Sequence, residues 1–151
     1  MQFNLKYIVP MDVLLDASAV MAVILNEPNK SKVISLTKNA ILLSSEVISF
    51  EIGNALINLL KKQKVTEDEL MEAYRNFISI PIRSIKVDIE KALKIACKFN
   101  IYAYDAYYLE IAYRLKIPLV TLDLSMTKIA SNLKINTPVK MAKGVKRDES
   151  L

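Results

Sequence analysis

The sequence predicts an α/β protein, a three-layer α/β/α sandwich with a mainly parallel central sheet. Short apolar runs alternate with longer helical stretches along the chain. Several of those runs end in a residue that caps the next helix, and no Asn-Gly or Asp-Gly pair offers a tight hairpin. At 151 residues the chain is long enough for one domain with a substantial core, which we assign to residues 11–140.

Val13 to Leu15 is a continuous apolar run that fits a strand covered on both faces, and it ends at Asp16. A helix is expected over Ala17–Leu25, stopped near Asn26-Glu27-Pro28, and a second over Lys30–Lys38. Ile41–Leu43 reads as a strand. Ser44 or Ser45 is placed to cap a helix that runs through Leu60 into the basic turn Lys61, Lys62 and Lys64, where lysines suit the negative end of the helix dipole. Thr66 and Glu69 have capping-box spacing and open a helix to about Phe77, so the two helices form a hairpin. Ile80–Val87, with Pro81, predicts a strand; Asp88 caps a helix to Phe99; and a further helix spans Tyr102–Leu115. Pro118–Leu122 predicts a strand, Ser125–Leu133 a helix and Thr137–Val139 a last short strand. Residues 1–10 are expected to be an N-terminal extension and residues 141–151 a flexible basic tail.

Composition narrows the function. The first ten residues lack the pattern of a secretory signal, and no apolar run is long enough to span a bilayer, so a cytoplasmic protein without a membrane partner is expected. The single Cys97 excludes an intramolecular disulfide and reads as a small buried hydrophobe. A net charge of +5 favours a polyanionic partner, although lysines that merely solvate helices give the same total. There is no histidine, which removes Ser-His triads and His/Cys metal sites. Chemistry would then fall to carboxylates and a hard cation, Mg²⁺ or Mn²⁺.

Four carboxylates interrupt or terminate apolar segments: Asp16 in VLLDASAV, Glu51 in ISFEIGNAL, Asp105 in AYDAYYLEIA and Asp123 in PLVTLD. Asp16 and Asp123 follow strands and precede helices, so an N-cap explains each; both also lie at carboxyl ends of strands, where open α/β sheets bind ligands. Asp105 shares a helix face with Tyr108, Leu109 and Ala112, opposite the i, i+4 pair Glu110 and Arg114. That face should be core, where a carboxylate needs a cation, a hydrogen-bond network or a raised pKa, unless Asp105 caps the helix. Glu51 is followed by Asn54, Asn58 and Lys62 at helical spacing, the pattern of a solvated stripe. Glu46 competes with it, but the helix dipole accounts for an acid in a first turn. Acids converging on one crevice repel unless a metal neutralises them, and Mg²⁺ retains waters, one of which can attack a phosphodiester.

At these residues the sequence resembles the PIN-domain nucleases, particularly VapC-like toxins, from about Met11 to Val139. MDVLLDASAV resembles the family's opening strand and first aspartate, and ISFEIGNAL its glutamate helix. AYDAYYLEIA is similar to the Tyr-Asp-Ala helix, and LVTLD to the strand ending in Thr-x-Asp. The resemblance favours Glu51 over Glu46 and implies a Mg²⁺- or Mn²⁺-dependent endoribonuclease that hydrolyses RNA. Asp16, Glu51, Asp105 and Asp123 would hold the metal, with Ser18 and Thr121 as supporting or substrate-positioning hydroxyls. It also implies a homodimer, built in relatives around the helical hairpin between Val47 and Phe77, and a small antitoxin protein encoded nearby. Leu70, Tyr74 and Phe77 serve equally as plain core.

Other classes fit less well. A receiver domain has an adjacent acidic pair after its first strand, whereas Asp16 is followed by Ala17 and Ser18. A phosphatase of the haloacid dehalogenase type needs Asp-x-Asp-x-Thr there. Two glycines leave no P-loop. The remaining rival is a non-catalytic PIN-like module that binds RNA or acts as a scaffold.

Overall fold

The computed structural model describes residues 10–140; the expected basic tail and all but the last residue of the N-terminal extension lie outside the described residues. Four strands, β1 (Asp12–Leu15), β2 (Ile41–Ser45), β3 (Arg83–Ile85) and β4 (Leu119–Val120), form one parallel sheet in the order β3-β2-β1-β4. Between and after them run α1 (Ala17–Ile24), α2 (Lys30–Thr37), α3 (Ile48–Lys61), α4 (Glu67–Ser79), α5 (Ile89–Phe99), α6 (Ala103–Leu115) and α7 (Leu124–Asn132). Helices α1 to α4 pack on one another, while α6 lies across β1, β2 and β4 with α5 and α7 against it. Right-handed crossovers put the two groups on opposite faces, giving the predicted three layers.

The sequence dictates much of this directly. Val13, Leu14 and Leu15 are all buried, as a strand covered on both faces requires. Thr66 and Glu69 close the capping box that opens α4, and Asp88 caps α5 by accepting from the Lys91 amide. The strand order places β1 and β2 in the interior. It also places a switch point between β1 and β4, because successive strands step from β1 to β2 to β3 and the chain then returns to the far side of β1. Ligands of open α/β sheets bind at the carboxyl ends of strands flanking such a point.

Several expectations are corrected. Ser44 and Ser45 do not cap α3. They continue β2, in register with Ser84 and Ile85, and Ser44 donates to the Leu15 carbonyl at 2.7 Å. Val47 occupies the N-cap position without a side-chain bond. The strand expected over Ile80–Val87 shrinks to three residues, since Pro81 lies in a tight turn closed by the Ile82 amide on the Ile80 carbonyl. No strand forms over Thr137–Val139 among the described residues; the Leu119 amide bonds to the Asn136 carbonyl, one residue short of that segment. Cys97 is exposed, because α5 turns Ala92, Ile95 and Ala96 inward and Cys97 falls off that face.

Candidate metal centre

Asp16 is the first residue beyond the carboxyl end of β1 and the N-cap of α1. Its carboxylate is buried, 4% exposed, and saturated with donors. Oδ1 accepts from the Ser18 hydroxyl at 2.7 Å and the Ala19 amide at 3.0 Å, and Oδ2 accepts from the Thr121 hydroxyl. Ser18 and Thr121 are themselves held from the β4–α7 link. The Leu122 amide donates to Ser18 Oγ at 2.9 Å, and the Asp123 amide to Thr121 Oγ1 at 3.0 Å. The two hydroxyls identified from sequence thus point their protons at Asp16.

Asp123 caps α7. Its Oδ1 accepts from the Ser125 amide at 2.8 Å, the Ser125 hydroxyl at 2.7 Å and the Met126 amide at 3.3 Å. Asp105 does not cap α6. Tyr102 stands at the cap, and the half-buried Asp105 side chain in the first turn makes no hydrogen bond among the described residues. Glu51 departs from the solvated stripe: Asn54, Asn58 and Lys62 are exposed, but Glu51 is half-buried and accepts from the Tyr108 hydroxyl at 2.6 Å. Glu46 precedes α3 rather than lying in its first turn, and it accepts from the Val87 amide at 3.1 Å.

Electrostatics join the four. Burial holds the Asp16 carboxyl at about 6, above its ordinary 3.8, against the lowering effect of its hydrogen bonds and with a further push from Asp123. Burial also raises Glu51, helped by the charges of Asp16 and Asp105 and opposed by the Tyr108 bond. Asp105 is raised by burial and then by Asp123. Glu51 thus feels Asp16 and Asp105, while Asp16 and Asp105 each feel Asp123, and among the described residues no lysine or arginine offsets these rises. Desolvated, mutually repelling oxygen donors without a compensating side chain fit a hard divalent cation. No three described acids form a ready ligand cluster. Two concavities of the surface, about 450 and 720 Å³, lie elsewhere and are lined by none of the four.

Two residues of this network carry weaker sequence signals. Ser125 reads only as the start of a helix. Tyr108 reads as core by periodicity, but a buried tyrosine hydroxyl needs a partner, and its position three residues after Asp105 is the available signal.

A family model described as the PIN domain matches residues 13–132. The chain belongs to the PIN-domain family. No curated protein matches this PIN domain in sequence. Among solved structures it is similar to PAE2754 from Pyrobaculum aerophilum, with a TM-score of 0.64 and 22% identity over 85% of this chain and 88% of that one. It is also similar to VapC20 of Mycobacterium tuberculosis, a sarcin-ricin loop cleaving toxin, with a TM-score of 0.56 and 12% identity over 78% of this chain and 94% of that one. At such identities these likenesses concern the fold. No helix among the described residues is long and apolar enough to cross a membrane.

Proposed function

We propose that this PIN domain is a Mg²⁺- or Mn²⁺-dependent endoribonuclease, the toxin of a toxin-antitoxin pair, acting in the cytoplasm. The observation that carries the reading is the set of carboxyls raised by burial and by neighbouring carboxylates, Asp16 at the β1/β4 switch point with Glu51 and Asp105, none of them offset by a cationic side chain among the described residues. PIN-domain membership and a net charge of +5 support it, as does the structural likeness to a toxin that cleaves the sarcin-ricin loop.

In this reading Asp16, Asp105 and Asp123 would hold the cation directly or through water. Ser18 and Thr121 donate to the two oxygens of Asp16 and so fix the orientation in which that carboxylate would meet it. Glu51, whose carboxyl burial raises above its ordinary value, would orient the attacking water or take its proton. The bound cation would neutralise charge on the scissile phosphate and make its water a better nucleophile.

Incubation with total RNA tests the proposal: cleavage should require Mg²⁺ or Mn²⁺, stop with EDTA, and vanish in a folded Asp16→Asn protein. An adjacent reading frame encoding a small DNA-binding protein would support the toxin assignment. One observation favours a second reading, a non-catalytic RNA-binding scaffold: no three acids among the described residues form a ready ligand cluster. Calorimetric titration separates the two, since a scaffold should bind no Mn²⁺ at these carboxylates.

A further inference from the structure

Glu51 enters the site on α3, a helix that begins without a side-chain cap. Among the described residues α3 makes a single side-chain hydrogen bond, the one Glu51 Oε2 accepts from Tyr108 at 2.6 Å. The donor is firmly seated. Tyr108 is 1% exposed, and α6, which carries it, packs across β1, β2 and β4. The same helix bears Asp105 three residues earlier, so α6 supplies one carboxylate itself and grips a second through a hydroxyl.

We propose that Tyr108 is a positioning residue for the metal centre: its hydroxyl fixes Glu51 Oε2 and leaves Oε1 to face the cation or the attacking water. This role rests on the metal-dependent nuclease reading of the same site. A glutamate side chain has three rotatable bonds, and at a half-buried site several rotamers would turn its carboxylate away from the other acids. A phenylalanine would fill the core equally well. The hydroxyl adds a polar group that burial makes costly unless it is bonded, and its partner is an acid that enters the site from α3, away from the β1/β4 edge. Partners that orient metal-binding carboxylates typically govern affinity by about ten- to a hundredfold.

The test is Tyr108→Phe, which removes one oxygen and keeps the ring. Its Mn²⁺ dissociation constant should rise about ten- to a hundredfold by calorimetry, with kcat lowered and KM for RNA unchanged. In a Glu51→Ala background the same change should have no further effect on Mn²⁺ affinity, whereas a merely structural tyrosine would act independently of Glu51. In the unaltered protein, where folding is not in question, the carbon-13 resonance of Tyr108 Cζ should shift on saturation with Mg²⁺. An unmoved resonance, or Mn²⁺ affinity unchanged in the folded Tyr108→Phe protein, overturns the role of Tyr108 alone. Absence of Mn²⁺ binding by the wild-type protein overturns the nuclease reading and this role together.

Discussion

Thr121 donates its hydroxyl proton to Asp16 from the next position along the β4/β1 register, one residue beyond the pair Leu15 and Val120. The bond spans the switch point, and the same Thr121 oxygen accepts from the Asp123 amide at 3.0 Å. One side chain therefore ties the Asp16 carboxylate to the backbone of Asp123. Thr121→Val keeps the shape and removes both bonds, leaving a buried carboxylate short of a donor. We expect a loss of about 1–3 kcal/mol in urea unfolding, together with reduced Mn²⁺ affinity. Thr121→Ser keeps the hydroxyl and should recover most of both. A loss in Thr121→Ser larger than that in Thr121→Val would show that the methyl group, not the bond, matters.

Asp16 sets the pH dependence of the metal-free protein. Its folded-state pKa of about 6 exceeds the ordinary 3.8, so the native state holds the proton more tightly than the unfolded chain. That contribution is complete below about pH 4 and is lost as pH rises through about 6, a change of about 3 kcal/mol at most. Glu51 and Asp105 act in the same direction. In EDTA, Tm should fall between pH 5 and pH 7.5, and Asp16→Asn should flatten the slope. Added Mg²⁺ should raise Tm at pH 7.5 more than at pH 5, because protons compete with the cation. A metal-free Tm that rises over this interval would contradict the assignment.

The sequence carried the alternation of elements and the position of each carboxylate because both depend on local signals: apolar runs, caps and breakers. Asp16 and Asp123 were legible as caps at strand ends, and Asp105 as an acid on an apolar face. Strand order was not legible, and strand order is what brings Thr121 beside Asp16 across more than a hundred residues. Glu51 was misread on pattern for a similar reason, since Asn54, Asn58 and Lys62 describe the outer part of α3 and not the turn that meets α6. Ser44 and Ser45 were read as caps because serine at the end of an apolar run signals a cap as well as it signals a strand. Only the neighbouring β3 and the Leu15 carbonyl decide between them.

The α3–α4 hairpin leaves Ile57, Met71, Tyr74 and Ile78 exposed, while Ala73 and Phe77 point into the core. Of the three residues weighed as core from sequence, Phe77 is buried, Leu70 partly buried and Tyr74 exposed at 40%. An amphipathic helix with an outward apolar row is suited to pairing with a second copy. We expect a dimer by light scattering, converted to monomer by Ile78→Glu. A wild-type monomer at high concentration would overturn the homodimer that the family resemblance implies.

Glu110 shows how a buried acid differs when it belongs to the scaffold. It is 2% exposed, yet it has a cation: Arg114 donates from Nε to Oε1 at 2.6 Å and from a terminal nitrogen to Oε2 at 3.2 Å. Oε2 also accepts from the Asp88 amide, and Arg114 reaches the Lys86 carbonyl at 2.8 Å, so the pair fastens the β3–α5 link to α6. Removing one partner of a buried pair strands the other. Arg114 is about one-third exposed at its side chain, so Arg114→Ala should cost about 2–3 kcal/mol, below the range for fully buried pairs. Glu110→Gln keeps acceptors for Arg114 and Asp88 and should cost less, about 1 kcal/mol. Glu110 is matched by a guanidinium where Asp16, Glu51 and Asp105 are set against other carboxylates, so both variants, while folded, should retain wild-type Mn²⁺ affinity. Loss of Mn²⁺ binding in folded Glu110→Gln would place Glu110 in the metal centre and break the division between paired structural acids and unpaired functional ones.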